Sequence, residues 1–334
     1  MKAMILTAGF GKRLLPLTKK WPKTLFPVGD RPVLFHLFDL LKEYGFKEVV
    51  LNLHHRGEVI EREVGDGRKM GMKITYSREE QLLGTGGGVR TAVGLWKDEE
   101  ILVVNGDNIL DLNLEKLIQF HRAREAVATM AVKPRSGDSE YTPVYLNDSG
   151  LVESIGGDSD RPAHVFVGAQ ILTPRFIQRL PAGKPSCLIN NGYRKAIKAG
   201  ERVAAMITTG YWREISTIEL YWQANLDFLK ARSPAFFYRG REEFTRRGIS
   251  AGKGCEFGPR TRFYYPVFLG NNCRVGANCT IGPAAQVGAD STVGDDCRLE
   301  NVVIWPGIKV HRGTSLQNTI LSPFGKIKIP TPKD

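Results

Sequence analysis

From about residue 255 the chain repeats every six residues, and no other feature restricts its fold as strongly. An aliphatic residue followed by glycine recurs as Leu269-Gly270, Val275-Gly276, Ile281-Gly282, Val287-Gly288 and Val293-Gly294. Phe257-Gly258 and Phe263 precede these in phase, and Leu299 follows. A small residue stands two places before most of them: Cys255, Cys273, Cys279, Ala285, Ser291 and Cys297. A fixed short period is the signature of a solenoid, in which each unit buries its apolar side only by stacking on its neighbours. Each six-residue unit is one flat face of a triangular coil. The aliphatic and the small residue point inward, and glycine, Asn or Asp turns the corner. After Leu299 the phase slips through Val302–Gly307, so the coil is expected to continue irregularly and to be capped near Phe324. Four of the five cysteines occupy the small position, which assigns them to packing. With no Cys-x-x-Cys pair, neither a zinc site nor a disulfide framework is indicated.

The first 230 residues follow a different pattern. Lys2–Leu6, Glu48–Leu53, Met72–Tyr76 and Ile101–Val104 read as strands. A helix opening at Pro32 and ending at Gly45 carries Leu34, Leu37, Leu40 and Leu41, and another carries Leu114, Leu117 and Phe120. Such alternation predicts an α/β domain: a Rossmann-like, mostly parallel sheet with helices on both faces. Ligands of such sheets bind beyond the carboxyl ends of the strands, so the informative residues should follow the strands. The expected organisation is a domain over 1–232, a basic and poorly periodic junction over 233–252 beginning where Ala231-Arg232-Ser233-Pro234 ends a helix, and a β-helix over 253–334.

Composition narrows the partners. At 42% apolar the chain of 334 residues has enough hydrophobic surface for a real core, which rules out disorder. Its longest apolar runs fall well short of a membrane span, and the opening strand is too short for a signal peptide, so a cytoplasmic protein is expected. A net charge of +12 favours anionic partners. Charge alone cannot choose between nucleotides, sugar phosphates, nucleic acid and a membrane surface. No nucleic-acid-binding motif is present.

The loop after the first strand runs Thr7-Ala8-Gly9-Phe10-Gly11-Lys12-Arg13-Leu14-Leu15-Pro16-Leu17-Thr18, then Lys19-Lys20-Trp21-Pro22-Lys23-Thr24-Leu25-Phe26-Pro27-Val28. Glycines after a strand let backbone N–H groups approach phosphates. The third glycine of a dinucleotide fingerprint is missing, because Leu14 stands there. A P-loop is excluded because Arg13, not Ser or Thr, follows Gly11-Lys12. What remains is a glycine turn and a cluster of cations on a proline-stiffened loop, suited to chemistry that depends on positioning and charge.

Gly-x-Gly-x-Arg-Leu-x-Pro-Leu-Thr followed by Pro-Lys-x-Leu-x-Pro-Val resembles the opening of the sugar-1-phosphate nucleotidylyltransferases. The resemblance extends over essentially the whole chain, to members with a C-terminal left-handed β-helix such as the mannose-1-phosphate guanylyltransferases and some glucose-1-phosphate thymidylyl- and uridylyltransferases. It implies Arg13 on the triphosphate and Lys23 on a sugar phosphate or the α-phosphate. The backbone of Ala8, Gly9 and Gly11 would cradle the nucleotide. The run Leu83-Gly84-Thr85-Gly86-Gly87-Gly88, between the third strand and a helix with Val89 and Val93, resembles the stretch that packs against the base. That implies nucleotide contacts from Gln81, Gly84, Thr85 and Gly86. Asp107, at the end of the fourth strand, matches the family's metal ligand, and Asn105 and Gly168 match residues facing the sugar. Where relatives show Trp-x-Asp-Ile-Gly-Thr, this chain has Trp212-Arg213-Glu214-Ile215-Ser216-Thr217. Glu214 would be the second metal ligand, reaching about one methylene further, which puts the metal geometry in question.

The implied reaction is Mg²⁺-assisted in-line displacement at the α-phosphate of a nucleoside triphosphate, giving a nucleotide sugar and pyrophosphate. Guanylyl transfer to a mannose-like sugar is favoured by the whole-chain plan. Two alternatives stay open: a non-catalytic regulatory relative that binds nucleotide sugar, and a hexapeptide acyltransferase with His311 as its base. The resemblance also implies a homo-oligomer formed through the β-helix.

Overall fold

The computed structural model describes residues 1–96, 99–136, 140–230, 244–246 and 249–329. Much of the expected junction, including its opening Ala231–Pro234, lies outside them. The chain forms two compact units. One comprises Met1–Phe10 and Leu37–Trp212, and the other Gly11–His36 with the described residues from Arg213 onward.

The first unit is built on a twisted sheet. Its strands Lys2–Leu6, Glu48–Leu53, Lys73–Arg78 and Ile101–Asn105 are all parallel, with Lys2–Leu6 between Glu48–Leu53 and Ile101–Asn105. Lys2–Leu6, Glu48–Leu53 and Ile101–Asn105 are largely apolar, as strands covered on both sides require, while Lys73–Arg78, the last strand at its end of the sheet, is more polar. Beyond Ile101–Asn105 the sheet becomes mixed, because Ala163–Leu172 runs antiparallel to it and pairs with two further strands. The glycine run is not a loop preceding a helix. It is the first turns of the helix Gly84–Thr91. Glycine is a poor helix former, and a tight packing contact described below outweighs that penalty.

The β-helix of the second unit has three faces. Strands one coil apart pair in parallel, as Glu256 with Arg274 and Arg274 with Thr292 on the first face. The second face stacks Arg262, Thr280, Arg298 and Ser315. Asn and Asp do turn corners, in the left-handed conformation: Asn272, Asn278, Asp290 and Asp296 all have φ of 57–59°. The glycines of the aliphatic–glycine pairs mostly do not. A methyl group on Gly270 would stand 2.3 Å from the backbone nitrogen of Ala289 in the next coil, so these glycines serve close stacking.

The phase slip after Leu299 is a one-residue shortening of one corner. Ile281 pairs with Leu299, and Ala285 with Val302, so three residues turn the corner in one coil and two in the next. Asn301 and Asn318, with φ of 52° and 48°, turn the shortened corners. A hairpin of Ser315–Ser322 with Gly325–Lys328 closes the solenoid around Phe324.

The small inward residues have a second property. Cys255, Cys273, Cys279 and Cys297 each point a thiol at a carbonyl of the next coil, on Gly270, Gly288, Gly294 and His311, at 3.1–3.2 Å. Thr261 and Ser291 do the same with hydroxyls, to Gly276 and Trp305. At six of these positions the small residue is therefore also a hydrogen-bond donor, while Ala285 serves packing alone. Burial pushes the Cys273 thiol up to about 12, so it stays protonated.

Candidate active site

In the first unit the expected residues gather where parallel strands end. Leu6 pairs with Asn52 on one side and Asn105 on the other, which brings Thr7–Phe10, Leu53–His55 and Gly106–Asp107 to one edge of the sheet. Ala8 is buried and its carbonyl accepts the His55 N–H, while Gly9 is half-buried. Phe10 lies against the rings of His54 and His55, with centroids 5.4 and 5.2 Å away.

Two buried residues that sequence reasoning missed organise this edge. Asn52 accepts from the Thr7 N–H at 2.8 Å and donates to Glu79 Oε1 at 2.7 Å. Glu79 Oε2 accepts from the N–H of Leu83, immediately before the glycine helix. The signal for Asn52 was a lone amide inside the apolar strand Glu48–Leu53. Glu79 had none, because its partner lies 27 residues away.

The glycine run is packed from both sides by protein. A methyl group on Gly86 would stand 2.7 Å from Ser186 Oγ, and one on Gly84 2.7 Å from the Ser186 carbonyl oxygen. Gly86 also donates its N–H to that carbonyl at 2.9 Å, and Thr85 Oγ1 accepts from the Leu188 N–H. Gln81, Gly84 and Thr85 are nevertheless exposed, while Gly86 is buried.

Asp107 is 7% exposed at the end of its strand. Gly168 has φ of 81°, and a methyl group there would stand 1.9 Å from Asn108 Nδ2 and 3.0 Å from Asn105 Nδ2. The close approach expected at Gly168 is therefore made by two asparagine side chains. Asn108, also missed, is buried and donates to the Val167 carbonyl.

The second unit holds Gly11, Arg13, Lys23 and Glu214. Gly11 is left-handed and opens a succession of short 3-10 turns, Lys12–Leu14, Leu17–Lys19 and Lys23–Leu25. Thr18 Oγ1 donates to the Gly11 carbonyl at 2.9 Å, and Leu14, Leu17 and Leu25 are fully buried. The loop thus buries its leucines and stands Arg13 outward. The Arg13 guanidinium lies 3.8 Å from Glu214 Oε1, so these two expected residues meet directly. Beside them Arg213 makes two bonds, at 3.1 and 2.7 Å, to the buried carboxylate of Asp227. Gln223 satisfies the other oxygen of Asp227. Arg213 is thereby turned toward the protein.

Residues 2–231 match the family model described as nucleotidyl transferase. The chain belongs to the nucleotidyl transferase family. Residues 263–329 of this nucleotidyl transferase match a second model, described as the GMPPB C-terminal domain. A mannose-1-phosphate guanylyltransferase of Mycobacterium tuberculosis is 28% identical over 78% of this chain and 77% of its own length. A probable mannose-1-phosphate guanylyltransferase 3 of Oryza sativa is 29% identical over 96% of this chain and 86% of its own. The UTP–glucose-1-phosphate uridylyltransferase of Synechocystis is 31% identical over 67% of this chain and 62% of its own. Among solved structures, HddC from Yersinia pseudotuberculosis complexed with GMP-PN superposes with a TM-score of 0.60 at 22% identity, over 68% of this chain and 99% of that one. That likeness shows a shared fold.

Chemically, the nucleotidyl transferase carries carboxylates, cations and backbone, and no nucleophile–base pair among the expected residues. His121 is buried, shares a 2.7 Å hydrogen bond with Thr129 Oγ1, and has its pKa lowered by burial, which suits a structural role. Among the described residues no three His, Cys, Asp or Glu side chains converge as a metal cage. Mg²⁺ does not need one, since it commonly takes one or two carboxylates and fills its shell with water and phosphate oxygens. The buried Asp107 carboxylate at a strand end suits that use. No described helix is long and apolar enough to cross a membrane.

Proposed function

We propose that this enzyme joins a nucleoside triphosphate to a sugar 1-phosphate, releasing pyrophosphate, with GTP and a mannose-like sugar 1-phosphate as its preferred pair. The observation that carries this reading is the likeness to a probable mannose-1-phosphate guanylyltransferase over 96% of the chain. The match of residues 263–329 to the model described as the GMPPB C-terminal domain extends the likeness through the β-helix.

In this reading an ionised oxygen of the sugar 1-phosphate attacks the α-phosphorus. The new P–O bond forms as the bond to the β-phosphate breaks, and pyrophosphate leaves with that electron pair. A phosphate oxygen needs no base to activate it near neutral pH, so the protein's task is to hold two anions together and offset their charge. Arg13 would bind the triphosphate, and Lys23 the sugar phosphate or the α-phosphate. The backbone of Ala8, Gly9 and Gly11 and the exposed residues Gln81, Gly84 and Thr85, with Gly86 beneath them, would bind the nucleotide. Asn105 and Gly168 would face the sugar.

Sugar nucleotidyltransferases generally require a divalent metal. Asp107 and Glu214 would hold Mg²⁺, which supplies charge neutralisation at the phosphates. We further propose a cytoplasmic homo-oligomer that associates through the β-helix.

The test is Mg²⁺-dependent pyrophosphate release with GTP, UTP, dTTP, CTP and ATP against a panel of sugar 1-phosphates. GTP with mannose 1-phosphate or a close analogue should lead the panel, and Asp107→Asn should remove the activity while the protein stays folded. Nucleotide-sugar binding without turnover on any pair would favour the regulatory reading instead.

A further inference from the structure

Two of the three β-helix faces present polar side chains outward. The first shows Glu256, Arg274, Thr292 and Lys309, all exposed. The second shows Arg262, Thr280, Arg298 and Ser315, exposed or half-buried. The third face differs. Its outward ladder is Phe268, Gln286, Val303 and Ile320, and these are 4%, 0%, 1% and 0% exposed.

The cover comes from the same compact unit. Phe228, on the helix Ile218–Leu229, meets Phe268 edge-on at 5.0 Å. Phe26, from the cation-bearing loop, packs against Trp305 at 5.1 Å. Tyr221 donates its hydroxyl to the Pro27 carbonyl at 2.7 Å. A methyl group on Gly29 would stand 2.7 Å from Phe228 Cζ, so the loop is seated tightly there.

Gln286 is the one polar member of these four, the ladder beginning above them at Ser250. Its Nε2 donates to the Gly29 carbonyl at 2.7 Å, and its Oε1 finds no donor among the described residues. Packing alone would favour Val or Ile, as in the next two coils, because a half-satisfied buried amide is costly. The amide's contribution is therefore its bond to Gly29. That residue turns the tight hairpin of Pro27–Val28 with Arg31–Pro32, directly after the Lys23–Leu25 turn.

We infer that the third face of the β-helix positions the Gly11–Val28 loop for nucleotidyl transfer, and that Gln286 is the positioning residue that fixes it. The inference rests on the proposed function for the role of Arg13 and Lys23, while its structural half stands apart from that role. Gln286 touches no reacting group. It fixes the Gly29 carbonyl at the hairpin that closes this loop, so its loss should disturb where the cations stand and leave the polar faces of the solenoid intact.

The experiment compares Gln286→Leu and the unbranched Gln286→Met with Val293→Ala, an inward-facing core change away from the ladder. Steady-state pyrophosphate release and amide hydrogen exchange are measured on the full chain. Either Gln286 variant should lower kcat on the order of tenfold or more, as small displacements of charged groups do, with KM for both substrates changed much less. Amides of residues 12–28 should exchange faster than in the parent. Val293→Ala should lower the melting temperature yet keep kcat and the exchange of residues 12–28. An unchanged kcat in a folded Gln286 variant, or an equal loss in Val293→Ala, would overturn the inference. If the parent protein itself turns over no substrate pair, the functional reading fails and exchange alone decides. Faster exchange confined to residues 12–28 then supports the pin, and unchanged exchange sinks it.

Discussion

The loop Gly11–Val28 and the helix start Leu83–Gly88 are both glycine-bearing segments next to strand ends, and the protein uses them in opposite ways. The first keeps one side open. Lys12, Arg13, Lys19 and Lys20 are exposed, while the carbonyls of Gly11 and Pro27 accept from Thr18 and Tyr221, and that of Gly29, just past its end, accepts from Gln286. The second is closed on its glycines: Ser186 occupies the space beside Gly84 and Gly86, and Asn52 and Glu79 the space beside Gly88. Glycine content therefore does not tell a phosphate cradle from a packing seam. What lies across the missing Cβ does. Part of the second segment stays open to solvent through Gln81, Gly84 and Thr85, so packing and ligand contact are divided among neighbouring residues.

The comparison can be broken most directly at the cations. Arg13→Ala and Lys23→Ala should each lower kcat by roughly 10²–10³, the usual cost of removing a charge-stabilising donor. The Arg13 variant should leave the melting temperature nearly unchanged, because that side chain is 66% exposed. A large drop in its melting temperature would mean that the first loop, too, is mainly structural.

Gly86→Ala should act the other way. The added methyl meets Ser186 Oγ at 2.7 Å and backbone carbons of Ser186 and Cys187 at 3.2 Å. Overpacking of this kind costs about 1–3 kcal/mol, readable as a lower urea midpoint. Full stability with a raised nucleotide KM would mean that this glycine serves the ligand alone and not the packing.

Tyr221→Phe gives the smallest effect. It removes the hydroxyl on the Pro27 carbonyl and leaves the ring packed against Phe26. A loss of about 1 kcal/mol is expected by chemical denaturation, with a smaller fall in kcat than either Gln286 variant shows. An equal fall would sharpen the comparison by spreading the anchoring of the loop over both residues.

How much was legible depended on the distance over which each feature repeats or pairs. The solenoid was plain, because its inward positions recur every six residues and stacking imposes the same demand on each coil. Even the shortened corner at Glu300-Asn301 registered as a loss of phase. The covered third face escaped notice, since a six-residue reading pools all three faces. Only the full coil, with Phe268, Gln286, Val303 and Ile320 in one ladder, separates them. The parallel strands Lys2–Leu6, Glu48–Leu53 and Ile101–Asn105 were readable from their apolar runs, which placed Asp107 and Asn105 at strand ends. Asn52 showed only as a lone amide in an apolar strand, and Glu79, Asn108 and Ser186 gave no signal, because Asn52, Val167 and the glycine run that they meet lie tens of residues or more away and follow no period.

The sequence by itself determined the two architectures, the solenoid through its period and the sheet through its strand–helix alternation, together with the loop that marks the family. These depend on local spacing, and local spacing is written along the chain. Only the tertiary structure decided that Gly11–His36 belongs to the same compact unit as the β-helix, that Arg13 faces Glu214, and that the glycine run is filled by Ser186. Those outcomes are set by which buried surfaces meet across long sequence separations, where shape and hydrogen-bond satisfaction choose the partner and no periodicity announces it.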